Sequence, residues 1–575
     1  MDPSIDGATP PISKLTNDIL CFIFSINADM TDESLQDHNK LLCRALHVTR
    51  RTSQVSRYWR TLILESPTIW AGVIDLELFR PSLENWREEV FRRCGGCLLS
   101  VKGVCSFAPE FTDTDALIKF FDTYWDQIKN LHVEVTYADQ VDGEIWLKIL
   151  CRPARFLCSL NLQFQQFPPP FPGFHNPGAT WFPDIAPASP ALRRFYHHPM
   201  TYISSLRTPW LSQLRVLELK FMSTRRPRAT TIWVLDSLEN LHILEVLKIS
   251  MRCPSPEPRP NKRLRSIKLP RLHRLSFDCE ELDDSIYFLE HIIPQQKCAL
   301  SLYSDRSFAD EPPQKYLDKF ASLAEHFSVY AQALSWDDAQ VLSLTLSSHS
   351  FAITIYGESW KDNSDFLHSS DNSHLKLKIT PTNHTWPGDI VDFLPFLRSI
   401  PSSLLGVIKV FDLDIRHNNC FTPAPRPIFH DFLASLRSVE SLIAANNYTI
   451  FSLLESASKS SAFFPSLHTL KMRQLKIYKV PAIHTIMDFL RWRIKAGHAI
   501  EVLDLTLAQD AHMHQFMSLE EMTGLKVGWR FQGEPVHEYI CGTGSPEKLD
   551  LQDKSDEGRP YGDESQKKKL WEDDS

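Results

Sequence analysis

The 575-residue chain is 43% hydrophobic and 11% aromatic, ample for a large core. A net charge of −8 with pI near 6.3 gives no global attraction to nucleic acid or to an anionic membrane. No apolar run approaches the roughly 18 residues that a membrane span needs, and Asp2 and Asp6, with no basic-then-apolar order, argue against a secretory signal. Twelve scattered cysteines in so long a chain suit reduced thiols in the cytoplasm or nucleus better than a disulfide framework.

In chain order, residues 1–10 read as a disordered N-terminus, and the first organised stretch follows Pro11. Thr16 or Asn17 caps a helix whose first turn carries Asp18. Ile19, Leu20, Ile23 and Phe24 fall at the i, i+1, i+4, i+5 spacing of one apolar helix face. Residues 28–50 begin polar, with Asp29, Asp32, Glu33 and Asp37, and read as a surface insert leading to a short helix around Leu41 to Leu46. Val55, Trp59, Leu62 and Ile63 repeat the apolar spacing in a second helix, which Ser66-Pro67 closes because a residue before proline avoids the helical region. Two short helices cannot bury two apolar faces in so small a module, so apolar surface is left for a partner. That points to docking rather than catalysis.

These residues also resemble an F-box, in the form common in fungal (basidiomycete-type) F-box proteins: I-x-x-L-P-x-E-I-L-x-x-I-F, an insert, then Q-V-C-x-x-W-R and S-P-x-L-W. Ile12, Leu15, Asp18, Ile19, Leu20, Ile23, Phe24, Gln54, Val55, Trp59, Arg60, Ser66, Pro67 and Trp70 match it. Thr16 stands for the usual proline, Ser56 for the usual cysteine and Asp18 for glutamate. The resemblance spans residues 11–75. It implies that Ile12, Leu15, Ile19, Leu20, Ile23, Phe24, Val55, Trp59, Leu62, Ile63 and Trp70 dock the Skp adaptor subunit of a cullin–RING ubiquitin ligase.

Beyond Trp70, Val73 to Leu76 is expected as the first strand and Leu83 to Phe91 as a helix, before Cys94-Gly-Gly-Cys97 and a strand from Leu98 to Val101. A redox dithiol wants a helix N-terminus to lower its thiol pKa, and no second ligand pair stands nearby to complete a zinc site. We therefore read turn glycines with incidental thiols. From residue 110 the chain alternates amphipathic helices (Leu117, Phe120, Phe121, Tyr124, Ile128; Leu317, Phe320, Ala324, Phe327, Ala331) with L-x-x-L-x-L strands. The strand units are Ile128/Leu131/Val133, Leu157/Leu160/Leu162, Leu214/Leu217/Leu219, Leu244/Leu247/Ile249, Leu272/Leu275/Phe277, Leu405/Ile408/Val410, Leu467/Leu470/Met472 and Ile500/Leu503/Leu505, with Leu192/Phe195 a weaker copy. From Ile128 to Leu272 the intervals are 29, 35, 22, 30 and 28 residues, near the period of leucine-rich repeats. Such units bury their apolar faces only against neighbours. The expected fold is thus α/β: a helical F-box followed by an irregular leucine-rich-repeat-like solenoid over residues 76–542. Strands between about 299 and 380 fit the repeat poorly and read as antiparallel, and residues 543–575, with ten acidic and six basic residues, read as a disordered tail.

Side chains between the leucines, Glu218, Lys220, Lys248, Ser250, His273 and Ser276, are expected to form a polar strip, crossed by the proline-rich loop Pro168–Pro190. Lys248 and His273, with Arg263 and Arg265 from a basic loop, are the candidate substrate contacts. No nucleotide-loop, esterase or zincin motif is present, so no catalytic residue, metal or cofactor is expected. The function expected is a substrate-recognition subunit presenting an unidentified protein to a ubiquitin ligase. The alternative is a repeat scaffold with no role in degradation.

Overall fold

The computed structural model describes residues 11–28, 45–106, 112–136, 149–150, 152–164, 189–200, 209–222, 231–252, 266–280, 282–293, 295, 297–306, 313–333, 339–347, 350–357, 373–381, 394–415, 426–446, 449–450, 453–454, 463–475, 482–508, 511, 516–531 and 534–551. It is mixed α/β with mostly parallel strand pairing, and divides into two compact units, Met1–Cys298 and Ala299–Ser575.

The first unit opens with four helices: α1 (Asn17–Asn27), α2 (Ala45–Thr52), α3 (Arg57–Leu64) and α4 (Pro67–Gly72). Ser56 caps α3 by accepting from the Trp59 N–H at 3.1 Å, and Pro67 begins α4, where its missing N–H costs nothing. Two expectations shift here. The helix placed at Leu41 to Leu46 starts at Ala45 and runs to Thr52, and Val55 lies in the turn between α2 and α3 rather than on a helix. Ser56 explains this: its cap fixes the start of α3 after Val55.

Strands β1 (Ile74–Asp75), β2 (Leu99–Ser106), β3 (Ile128–Thr136), β4 (Ser159–Phe164), β5 (Arg194–Met200), β6 (Val216–Met222), β7 (Val246–Arg252) and β9 (Arg274–Cys279) pair in parallel, each with the next. The short β8 (Ile267–Lys268) pairs with β10 (Ile292–Ile293) instead. Helices α5 (Glu84–Cys94), α6 (Thr114–Tyr124), α7 (Thr231–Leu238) and α8 (Leu282–His291) lie between or after the strands in sequence. Register fixes which residues form the core. Ile74, Val101, Leu131, Leu160, Phe195, Leu217, Leu247 and Leu275 are Cα partners in one continuous column, and all are buried. Phe277, two residues on, stacks on Phe288 of α8 at 4.6 Å between ring centroids, which marks this as the helix-covered side of the sheet. Gly103 has no room for a side chain: a Cβ there would stand 2.9 Å from the Asp75 carboxylate and from Leu76.

In the second unit β11 (Ala299–Arg306), β14 (Ser373–Pro381), β13 (Ser350–Gly357), β12 (Ala339–Ser347) and β15 (Val410–Ile415) are neighbours in that order. The β14–β13 and β13–β12 pairings are antiparallel, and those of β11 with β14 and β12 with β15 are parallel. Parallel pairing continues through β16 (Ser441–Ala444), β17 (Thr469–Met472), β18 (Val502–Asp504) and β19 (Lys526–Trp529), and β20 (His537–Ile540) closes the run antiparallel to β19. Helices α9 (Pro313–Ala333), α10 (Leu394–Ser399), α11 (Ser402–Leu405), α12 (Arg426–Ser435) and α13 (Ala482–Lys495) complete this unit. Phe396 of α10 packs on Phe351 of β13, and Phe432 of α12 on Phe411 of β15, so the apolar strand positions again meet helices.

Three sequence expectations change in this unit. The unit written Leu405/Ile408/Val410 is Ile408/Phe411/Leu413, because Leu405 ends α11 and Phe411 takes the column position opposite Leu342 and Leu442. A further unit, Val439/Leu442/Ala444, escaped the pattern because alanine replaces its last leucine. Packing also runs past Thr543: Leu549 and Leu551 are buried, and the Phe516 N–H donates to the Leu549 carbonyl at 2.9 Å. Residues 552–575 lie outside the described residues.

Candidate functional site

The N-terminal helices sort their apolar residues into two sets. Leu20 and Phe24, one turn apart on α1, are buried with Ile63, Ile69 and Trp70. Phe24 meets Trp59 edge-on at 5.1 Å. The Trp70 indole N–H donates to the Ile63 carbonyl at 2.9 Å, and its ring packs against Trp86 and under the Arg93 guanidinium. The second set faces outward. Ile19, Phe22 and Ile26 recur at i, i+3, i+7 along α1 and are 47%, 66% and 58% exposed. Val55 and Tyr58 are 65% and 50% exposed, and the Tyr58 hydroxyl donates to the Asn17 side chain, tying the start of α3 to the start of α1.

Of the residues expected to dock a partner, the structure therefore turns out Ile12, Ile19 and Val55, keeps Leu15, Ile23, Trp59 and Leu62 partly accessible, and encloses Leu20, Phe24, Ile63 and Trp70. The enclosed four hold the helices together; they have no surface to offer. Phe22, Ile26 and Tyr58 were missed. The signal was available, since α1 carries apolar residues around its whole circumference, more than a single buried stripe needs.

The second candidate surface is the strand face turned away from the helices. Asp75, Lys102, His132, Asn161, Tyr196, Glu218, Lys248 and Ser276 are consecutive Cα partners across the strands of the first unit, a single row of polar or amphipathic residues. The Asn161 amide lies 2.9 Å from the His132 ring nitrogen, with the Gln163 amide at 3.3 Å. Burial, reinforced by the Lys102 charge, pushes His132 down to about 4, so the imidazole is neutral at physiological pH. Lys248 and Glu218 pair at 3.6 Å, and the Ser250 hydroxyl donates to Asp278 at 2.9 Å in the next row. Of the expected contacts, Lys248 belongs to this row. His273 stands on the turn before β9 and is exposed. Arg263, Arg265 and the Pro168–Pro190 loop are not among the described residues, apart from the loop's last two positions.

Cys94 ends α5 and is buried, with its thiol donating to the Val90 carbonyl at 3.2 Å. Burial, with Cys97 adding to it, pushes that thiol up to about 12. A thiolate is therefore disfavoured where a redox pair would need one. Among the described residues no group of three or more His, Cys, Asp or Glu side chains is arranged to hold a metal ion, and no helix is long and apolar enough to cross a membrane.

The geometry thus offers an outward apolar helix face near one end of the chain and polar strand rows beyond it. No family model matches the chain, and no curated protein matches it.

Proposed function

We propose that the chain is a non-catalytic adaptor of the F-box type. In this reading residues 11–75 dock the Skp subunit of a cullin–RING ubiquitin ligase, and a leucine-rich-repeat-like solenoid built from the strand and helix units presents a protein substrate on its polar strand face. The observation that carries it is the outward stripe of Ile19, Phe22 and Ile26 on a helix whose opposite stripe is already buried. A short helix with two apolar sides is costly in water unless the second side is covered. The matched F-box pattern names the protein that would cover it. The columns of buried Leu, Ile, Val and Phe at a spacing of one strand per repeat support the solenoid.

The direct test is binding of the purified chain to the Skp subunit by calorimetry. Phe22→Ala with Ile26→Ala removes two large exposed contacts, and truncating such anchors typically costs about 2 kcal/mol or more each. Binding should fall at least 100-fold while helicity is unchanged. Undiminished affinity in that double variant would sink the docking reading. Substrate capture from proteasome-blocked cells, with levels of the captured protein followed after release of the block, separates a degradation receptor from a repeat scaffold. Captured proteins that turn over at an unchanged rate when the chain is removed would favour the scaffold.

A further inference from the structure

Strand β14 places two lysines on the face of the second unit that the helices leave uncovered. Leu375, Leu377 and Ile379 are buried, and the alternating Lys376 and Lys378 point the other way. Lys376 is the Cα partner of Ser301 on β11 and of Thr354 on β13; Lys378 is the partner of Tyr303 and Ala352. The Lys376 ammonium sits over the Tyr303 ring, 5.1 Å from its centroid. Burial pulls this lysine below its ordinary pKa, and no carboxylate raises it back. Among the described residues neither lysine has an ion-pair partner.

Several other lysines of the strands have acidic partners. Lys248 pairs with Glu218, Lys409 with Glu440, Lys471 with Asp504 and Lys526 with Glu538 on other strands or their flanks. On the same face, Asp305 of β11 is the Cα partner of Thr380, two residues beyond Lys378, while Asp412 of β15 is three strands from β14, roughly 14 Å at about 4.8 Å per strand, beyond a physiological Debye length of about 8 Å. Asp412 is also engaged, accepting from Ser343 at 3.0 Å and from Arg473 at 3.1 Å. Lys376 is thus half-buried and Lys378 exposed, both without an ion-pair partner among the described residues, beside the small side chains of Ser301, Ala352 and Thr354.

We propose that Lys376, Lys378 and Tyr303 form an anion-binding subsite for an extended acidic peptide segment with carboxylates at alternate positions. Residues i and i+2 of a strand lie about 6.8 Å apart on one face. An extended ligand with acidic side chains two residues apart therefore matches the two lysines in spacing as well as in sign. The Tyr303 ring fixes one ammonium through a cation–π contact while leaving its N–H groups free to donate. A nucleic acid, whose phosphates extend across the whole face, would also meet Asp412 and Asp414 of β15, which a short peptide lying along β14 does not reach. Naming the ligand as substrate rests on the receptor reading above; the subsite itself does not.

The test uses the full chain and a fluorescein-labelled peptide with glutamates at i and i+2 in a serine- and threonine-rich background. Companion peptides carry glutamine or phosphoserine at both positions. Fluorescence anisotropy should show binding of the glutamate peptide, at least tenfold weaker binding of the glutamine peptide, and weakening as salt rises. Lys376→Gln with Lys378→Gln should cost at least tenfold with the melting temperature unchanged, and Tyr303→Leu about two- to fivefold. Phosphoserine binding in place of glutamate would keep the site and assign its anion to phosphate. Equal binding of glutamate and glutamine peptides overturns the inference without any variant. So does displacement by a single-stranded oligonucleotide at lower concentration than by unlabelled peptide, or wild-type affinity in the double lysine variant. Skp binding is measured on the same samples. Its failure with peptide binding intact strikes the receptor reading alone, and the reverse result strikes the subsite alone.

Discussion

The helices at residues 17–72 and the strand rows that follow use the same apolar residue types and dispose of them differently. In the rows, strands such as β6, β7 and β9 put Leu, Ile, Met or Phe toward helices and polar side chains such as Glu218, Lys248 and Ser276 outward, so their apolar residues are buried. On α1 the outward side is apolar as well. Periodicity alone makes both elements look amphipathic. What separates them is whether the positions outside the buried stripe are polar, as Glu218, Lys248 and Ser276 are, or apolar, as Phe22 and Ile26 are. The first pattern recognises partners through charge and hydrogen bonds. The second needs a partner to remove it from water.

The comparison breaks most severely where the inward sets are cut. Trp70 is fully enclosed, donates its indole N–H to Ile63 and lies under Arg93. Trp70→Ala should cost about 3–5 kcal/mol by lost burial and the cavity left behind, measured as a fall in the urea midpoint. Hydrogen exchange should speed up in residues 45–94 and hardly change in the second unit. Uniform exchange acceleration throughout the chain would mean that the helical module is not a separate source of stability. Arg493 probes the opposite solution, a buried charge in the second unit. Its guanidinium donates to the carbonyls of Phe463, Phe464 and Leu467 at 2.6, 3.1 and 3.0 Å, holding a turn in which Phe464 has φ 52°. Arg493→Leu removes the guanidinium donors of all three carbonyls, of which that of Phe464 keeps the Leu467 N–H at 3.0 Å, and should cost about 3 kcal/mol. A loss under 1 kcal/mol would show that the turn holds itself.

A third measurement sharpens the polar row. His132 is held near 4 by burial first and by Lys102 second, against about 6.5 in an unfolded chain. Above pH 6.5 neither state binds the proton. Between pH 6.5 and 4 the unfolded chain takes up a proton that the native chain refuses, so stability is lost as pH falls through that window. The loss should reach the order of 2–3 kcal/mol by pH 4. The slope between pH 6.5 and 4.5 should be shallower in His132→Gln than in the wild type. Identical slopes would place the acid sensitivity on other groups.

Much of this fold could be read from the residues, and the failures have definite causes. Strands β3, β4, β6, β7 and β9 were legible because each carries Leu, Ile, Val or Phe at both alternating positions with polar residues between them. The register at β15 was not, because Val410 is apolar yet sits beside the column that Phe411 occupies. β16 was hidden by Ala444. The antiparallel β12–β13–β14 segment was visible as unbroken alternation, and the outward lysines of β14 follow from the same alternation that put Leu375, Leu377 and Ile379 inside. The docking face was half legible. Spacing identified α1, but Leu20 with Phe24 and Phe22 with Ile26 are both i, i+4 pairs, and only tertiary packing decides which pair goes inside.

The smallest expected stability effect sharpens that last distinction. Phe22→Ser with Ile26→Ser replaces two exposed apolar side chains on α1, and exposed substitutions away from caps and ion pairs usually change stability by no more than about 0.5 kcal/mol. Leu20→Ser, on the same helix and at comparable distance from its ends, should cost several times more, since it puts an unpartnered hydroxyl into a core position. The exposed pair should instead alter association. An uncovered apolar stripe on the wild-type chain is an adhesive surface in the absence of a partner. Sedimentation of the isolated chain at rising concentration should therefore show self-association that the Phe22/Ile26 variant loses and that added Skp subunit suppresses. A wild type that stays monomeric over that range, or a double-serine variant destabilised as much as Leu20→Ser, would mean that the outward stripe is covered by the chain itself, and the contrast between the two faces of α1 would collapse.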